Sequence, residues 1–504
     1  MICVPLAPES RTLAKADLLN AARVADIVEL GLDRFLNKPD VADLLAGIDK
    51  PVIVSCRRKK EGGHFAGNEE DRIALLRESI AAEATFVELE LDVAAQFPRT
   101  AKTRRLVSVN RPFRALTDAQ ELVEKAANAG ADVVKFVWPG LLLDSLEPVL
   151  TAMQQAARLK IVGIPIGPAG RAFPVLARRL GAPWVYAALE RGMETHDGLP
   201  SLRELEDLYD IRRVNGDTRL TGAAGFGVVR ERTLKAFNAG FRELEVNGRC
   251  LPLEIGPVES LAELLDQLGI AALVVSPGMG DYLFAMVEHP ESAVALGQHV
   301  DLLLRKRDGW HGYNVLWRSV LKVVERTLRR TGQEPTSVEK ASNLILGAGR
   351  ITRTMLFGLR QLKATAAIAV PGGIDEVAFC PHCGESLDTA GSTADIAASL
   401  EARHVPFADV LTTRPEVLII TDPAVELGFK PNALNPVFLQ PPLIVVDATT
   451  LFHETDLLVE ARDRGCTVVR PRYVLGEHLA AQFKAVTGQE LPDAAFQQAL
   501  DMLG

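Results

Sequence analysis

The chain has 504 residues, enough for two to four domains. Its mixture of 48% hydrophobic and 24% charged residues excludes a disordered or collagen-like chain. With 65 acidic and 56 basic residues the net charge is −9, which argues against nucleic acid or an anionic membrane surface as partner. Residues 1–11 carry no basic-then-apolar leader, and no run approaches about 18 apolar residues. Six scattered cysteines add the profile of a reducing compartment, so a soluble cytoplasmic protein is expected.

Short apolar runs and amphipathic stretches alternate through the first 210 residues or so. The runs at 2–6, 26–30, 51–56, 85–91, 105–110, 132–138, 160–166 and 184–189 are apolar without strict alternation, as strands covered on both faces are. Helical patterns at 68–82, 118–129, 143–158 and 170–180 lie between them. Eight such units fit a (β/α)₈ barrel over residues 1–212, with an open doubly wound sheet as the alternative. The polar stretch 205–217 reads as a linker.

A second α/β series follows: strands at 250–255 and 270–276, a run at 300–305 ending in the Asp308-Gly309 turn, and a long helix over 314–330. Further strands are expected at 343–347, 366–370, 417–421, 443–447 and 467–470. We read 218–335 as one domain, 336–471 as a Rossmann-like domain, and 472–504 as helices that pack back on the former.

Lys135, near the C-terminal end of the sixth strand, faces the side where barrel active sites sit. Apolar neighbours would favour its neutral amine, which attacks ketones to form Schiff bases; the plain alternative is a lysine that snorkels to solvent. Around it the strand ends supply Glu29, Arg57, Glu61, His64, Glu88, Glu90 and Arg111. This mixture suits a small anionic carbonyl compound: Arg57 to clamp a carboxylate, Glu61 or His64 to move protons.

Several of these residues stand in recognisable order: Ile27-Val28-Glu29-Leu30-Gly31-Leu32-Asp33, Cys56-Arg57 through Glu61-Gly62-Gly63, Val87-Glu88-Leu89-Glu90, Val107-Ser108-Val109-Asn110, and Lys135. In these the first half resembles type I 3-dehydroquinate dehydratase, a barrel enzyme of the shikimate pathway that leads to chorismate and the aromatic amino acids. The resemblance implies a cyclic keto-acid substrate, an imine at Lys135, substrate contacts at Glu29 and Arg57, an acidic helper at Glu61, and no cofactor for the barrel. It also exposes departures. The family's catalytic histidine position is Arg111, a residue that cannot act as a base near neutral pH. Gly31 and Pro174 replace substrate arginines, with Arg171 three residues before the latter, and Leu199 replaces a glutamine. Proton transfer has then moved to another group, such as His64 or His196, or the substrate has changed, or activity is lost.

In the second half, Leu346-Gly347-Ala348-Gly349-Arg350 takes a strand through Gly-x-Gly into a helix, a turn that admits a pyrophosphate or simply closes tightly. Thr352 holds the third position of that fingerprint. Arg350 and Arg353 lean it toward NADP(H) over NAD(H). With Phe237-Asn238-Ala239-Gly240-Phe241, Gly312-Tyr313-Asn314 and Val445-Val446-Asp447, this half resembles shikimate dehydrogenase. The family's catalytic lysine is missing, because no lysine occurs between Lys235 and Lys306 and the segment reads through Gly280. Its aspartate position is Leu316, its paired serines fall near Glu231 and Thr233, and its late glutamine falls near His478.

Cys380-Pro381-His382-Cys383 offers half a zinc site, with His404 or Asp375 to complete it, but an inert loop is the preferred reading and no metal is expected. The leading expectation is a fused dehydratase and dehydrogenase-like protein. Another Schiff-base lyase or aldolase, and a non-catalytic metabolite sensor or scaffold, are the alternatives, and a homodimer is left open.

Overall fold

The computed structural model describes residues 1–156, 158–332, 334–370 and 397–500. The Cys380–Cys383 motif and Asp375 lie outside them. The chain forms two compact units: Met1–Gly222 with Glu245–Ile270, and Ala223–Leu244 with Ala271–Gly504.

The first unit contains an eight-stranded sheet: β1 (Ile2–Leu6), β2 (Ile27–Gly31), β3 (Val52–Ser55), β4 (Phe86–Glu90), β5 (Arg104–Asn110), β6 (Val133–Pro139), β7 (Lys160–Ile166) and β8 (Val185–Tyr186). Their spatial order is β7-β6-β5-β4-β3-β2-β1-β8, and β7 meets β8 to close the ring. All the ladders joining β1 to its neighbours and on to β7 are parallel. Every expected strand is present, and the barrel reading holds over the open sheet. Helices Arg11–Val24, Glu69–Ala81, Ala119–Asn128, Glu147–Gln155 and Phe173–Arg179 cover the outside. The stretch expected to be a linker packs instead, because Leu205, Tyr209 and Ile211 are buried beneath its polar residues.

The register explains how the interior is filled. Tyr186 lies opposite Cys3, and Cys3 opposite Ile27; two residues further along β2 stands Glu29. Glu29 lies opposite Ile53, and Ile53 opposite Phe86; two further along β4 stands Glu88. Glu88 lies opposite Leu106, and Leu106 opposite Val133; two further along β6 stands Lys135. A stagger of two residues for every two strands puts side chains from alternate strands in one layer. Tyr186, Glu29, Glu88 and Lys135 form such a layer. Cys3, Ile53, Leu106 and Val162 form the apolar layer below it, from the odd strands. Ser55 and Ser108 stand one layer above, and Asn110 higher still.

The rim above is braced by a buried ion pair. Asn68 caps the helix Glu69–Ala81 by accepting from the Asp71 amide at 2.8 Å. This helix presents Arg72, fully buried, to Glu90 at 2.7 and 2.9 Å, to the Cys56 carbonyl at 2.8 Å, and to Glu69. One guanidinium thus ties the ends of β3 and β4. Removing it strands a buried carboxylate, so Arg72→Ala is expected to cost about 3 kcal/mol or more in a denaturant-unfolding measurement.

In the second unit, strands Asn343–Leu346, Ala366–Ala369, Arg403–His404, Val417–Ile420, Ile444–Asp447 and Thr467–Val469 make a parallel sheet. In space they run third, second, first, fourth, fifth, sixth. This is the doubly wound dinucleotide-fold order, with its switch point between the first and fourth strands. The short strand Arg403–His404 is not among those expected from the sequence. The helix Pro471–Thr487 packs on Gly227–Glu243 and Leu316–Thr331, with Phe483 against Phe237 and Phe241.

Candidate active site

Lys135 is the third of seven residues in β6, deeper than the strand end anticipated, and fully buried. Its Nζ donates to Glu29 at 2.7 and 2.9 Å and to Glu88 at 3.0 Å, and lies 4.7 Å from the centre of the Tyr186 ring. Its setting is therefore directly ionic, the charged residues expected around it touching its amine and outweighing the apolar neighbours of its own strand. Arg57, two residues beyond β3, grips Glu88 with Nε and Nη2, both at 2.8 Å, and also donates to Glu29. Two cations and two carboxylates thus close a neutral quartet inside the barrel. Burial alone would raise Glu88, but Arg57 and Lys135 outweigh it and hold the carboxyl well below its usual range.

Glu61 sits at the rim, accepting from Arg58 at 3.0 Å and from Asn110 Nδ2 at 3.3 Å. Burial, with the charge of Glu90 added, pushes it up to about 7 against the pull of Arg58 and Asn110. Asn110 Nδ2 also reaches Ser108 at 3.2 Å. Ser55 Oγ, Asn110 Oδ1 and His196 Nε2 are among the buried polar atoms of this region with no hydrogen-bond partner among the described residues, as are Tyr186 Oη and Arg58 Nε. Ser55 and Asn110 rise from the strands that flank the quartet, and His196 lies on the loop after β8. A polar ligand above Lys135 would satisfy such atoms.

The other sequence candidates are placed further out. His64 is exposed, its ring against Asp33 at 3.7 Å and Arg34 at 3.4 Å. Arg111 is engaged by both oxygens of Asp118, at 2.6 and 3.1 Å. Arg171 pairs with Glu204 at 2.9 Å. Glu88, present in the sequence motif but unassigned there, proves central. Its period-two spacing with Glu90 is the signal that marks it as an inward residue.

In the second unit, Gly347 has φ +137°, and a Cβ there would fall 2.6 Å from Thr421 Oγ1 across the switch point. Gly349 caps the helix Arg350–Gln361 with open space where its Cβ would be. Thr352 is buried and bonds Thr421 at 2.7 Å, closing helix onto strand. The cradle therefore fits a pyrophosphate at Gly347, Ala348 and Gly349. Arg350 is committed to the Gln298 carbonyl at 2.9 Å, while burial and then Arg350 depress Arg353. A cavity of about 600 Å³ lies at the ends of the fourth and fifth strands, lined by Asp422, Asp447, Thr449 and His453 among others.

In the segment read through Gly280, that glycine has no room for a side chain: a Cβ there would meet His299 Cε1 at 2.4 Å. His299 is held by Asp281 at 2.7 Å, Leu316 is fully buried, and His478 lies 3.9 Å from the buried Asp301. His289, Asp308 and His311 are close enough to share a metal ion, but the hairpin's own hydrogen bonds, both 2.9 Å, account for them.

The rim carboxyl gives a pH-dependent prediction. Glu61 is raised in the fold above its unfolded value, so its stabilising contribution is full below the unfolded value and is lost as pH rises through about 7. Glu61→Gln should therefore gain thermal stability over the parent at pH 8.5 and gain little at pH 5, as read by melting curves at both pH values.

Known proteins match this architecture. The family model described as Type I 3-dehydroquinase matches residues 2–216. The 3-dehydroquinate dehydratase of Methanothermobacter thermautotrophicus is 33% identical over 204 residues, covering 38% of this chain and 88% of that protein. Over nearly the full length, the chain is 24% identical to the chloroplastic bifunctional 3-dehydroquinate dehydratase/shikimate dehydrogenase of Arabidopsis thaliana, covering 99% of this chain and 84% of that one. A shikimate dehydrogenase structure from Aquifex aeolicus aligns with 57% of this chain and 99% of its own, at 20% identity and TM-score 0.46. Through its first half the chain belongs to the type I 3-dehydroquinase family.

Proposed function

We propose that the barrel dehydrates 3-dehydroquinate to 3-dehydroshikimate through an imine at Lys135, as a step in chorismate and aromatic amino acid biosynthesis. The observation that carries this reading is the buried Lys135 with orphaned polar atoms of Ser55, Asn110 and His196 in the surrounding rim. Once it has given up its proton, the buried Lys135 amine can attack a ketone carbon. The carbonyl oxygen leaves as water, and the iminium withdraws electrons from the adjacent carbon. Loss of a proton there and of hydroxide at the next carbon gives a conjugated product, and water then releases Lys135.

Arg57 has a second use in this scheme. It is the one quartet member with solvent access, its side chain 23% exposed. An incoming carboxylate takes over part of its pairing with Glu29 and Glu88, and frees Lys135 as it does so. Glu61, near half-protonated at neutral pH, is suited to return a proton to the leaving hydroxyl.

For the second half we infer a dinucleotide site without shikimate dehydrogenase turnover. When bound, a nicotinamide dinucleotide exchanges hydride with a substrate carbon; Gly347, Ala348 and Gly349 would hold its pyrophosphate. No lysine occurs between Lys235 and Lys306, so none from that segment stands by to move the hydroxyl proton. A reducing cytoplasm suits the chain: the four described cysteines are free and buried, and among the described residues no helix is long and apolar enough to cross a membrane.

Borohydride reduction in the presence of 3-dehydroquinate should fix one substrate-derived adduct on Lys135, seen by peptide mass spectrometry, with none in Lys135→Ala. An unmodified Lys135 in folded protein overturns the imine reading. NADPH fluorescence titration should saturate, and Gly349→Val, whose Cβ meets nothing in the fold, should weaken binding about tenfold or more. Equal binding by parent and variant overturns the cradle assignment.

A further inference from the structure

We propose that His196 is the base that takes the proton from the carbon beside the Lys135 imine. This rests on the imine reading above. An iminium makes the neighbouring C–H acidic, but the bond breaks at a useful rate only with a neutral base beside it.

The rim holds few groups able to do this. Arg111 is a guanidinium gripped by Asp118 and accepts nothing. His64 stands in solvent beside Arg34 and Asp33. Glu61 already uses both oxygens, on Arg58 and Asn110. His196 differs from all three: its Nε2 is shielded from solvent and has no hydrogen-bond partner among the described residues. A buried ring nitrogen left unpaired costs stability, and such exceptions are kept where a ligand completes them.

Its loop is fastened to the barrel mouth. The Asp197 carbonyl accepts from the Gly167 amide, which follows β7, at 2.9 Å, and the Pro200 carbonyl accepts from the Ala188 amide at 2.9 Å. Gly198, at φ +79°, presses so closely on Gly167 that a Cβ would lie 1.8 Å from the Gly167 oxygen. The loop therefore holds its place only with glycine there, and it carries His196 as a fixed side of the site.

Electrostatics keep the ring neutral. Burial comes first, then the charges of Arg57 and Lys135, against the weaker pull of Glu29; together they lower His196 to about 4 and keep it neutral. With its ring proton on Nδ1, Nε2 offers a lone pair. A substrate carboxylate arriving at Arg57 offsets one of the two charges that depress it, so the base strengthens as the ligand binds. In the step itself, Nε2 bonds the proton and the C–H electron pair becomes the enamine double bond, neutralising the iminium nitrogen. The enamine electrons then expel hydroxide from the next carbon. The imidazolium or Glu61 supplies the proton that makes it water, and hydrolysis of the imine restores Lys135.

The test compares the full chain with His196→Ala and His196→Asn, each incubated with 3-dehydroquinate. Borohydride should still fix the adduct on Lys135 in both variants, which also shows that the barrel is folded. Product formation should fall about 10²- to 10⁴-fold. Exchange of the substrate's α-proton with deuterated solvent should fall with it, and added imidazole should restore part of the rate in His196→Ala. An adduct with parental turnover and exchange in both variants overturns the role of His196 and leaves the imine intact. No adduct in the parent overturns both.

Discussion

The centre of this molecule is a salt-bridged ring of four charges closed off from water. Each ion moved into a protein interior costs several kcal/mol, and mutual attraction offsets this only when geometry is close and every charge is paired. Lys135 between Glu29 and Glu88, with Arg57 across both carboxylates, meets that condition. The quartet is neutral as a whole but loses its balance when any member leaves. A ligand that brings a carboxylate to Arg57 and a ketone to Lys135 replaces two of those partnerships at once. The arrangement thus couples the stability of the empty barrel to the chemistry of the occupied one.

The same constraint organises the layers around it. Below the quartet the interior is apolar, with Cys3, Ile53, Leu106 and Val162, so the charges face a dry floor. Above it are serine, asparagine and histidine atoms, several without partners. Arg72, pinned between Glu90 and the Cys56 carbonyl, keeps the rim on the β3 and β4 side in place. Polarity therefore rises from floor to mouth, and only the mouth side offers a ligand hydrogen bonds. The depressed His196 and the raised Glu61 belong to this gradient: both are driven toward their uncharged forms, chiefly by burial.

The second unit is organised by its doubly wound sheet and the glycine turn at the switch point. Gly347 and Thr352 still close the turn onto Thr421 at the switch point of the sheet. His299 fills the space against Gly280, and Leu316 is fully buried. Buried ionisable residues remain there: burial pushes Asp301 up to about 7 and, with the charge of His299, His478 down to about 3. Packing demands are met over the whole unit by apolar periodicity, which is why its longer strands are legible from short apolar runs.

The strands of the barrel were legible because burial on both faces writes itself as short apolar runs, and a lysine or glutamate inside such a run, as at Lys135 and Glu88, stands out. The glycine turn at Gly347 was legible for a similar local reason: only a residue without a Cβ fits at φ +137° beside Thr421. The two-residue strand Arg403–His404 has too few residues to show a period. The linker reading of 205–217 failed because its polar residues hid the burial of Leu205 and Tyr209. Which charges pair was not local at all. Glu29, Glu88 and Lys135 are up to 106 positions apart and meet only because the barrel's stagger lifts each even strand by two residues. Likewise Arg111 and His64 look available in sequence, and only the fold hands them to Asp118 and to solvent. The sequence determined the strands, the turn and the presence of an ionisable interior; the closure of the ring decided which of those ions touch, because contact across a barrel depends on register rather than on distance along the chain.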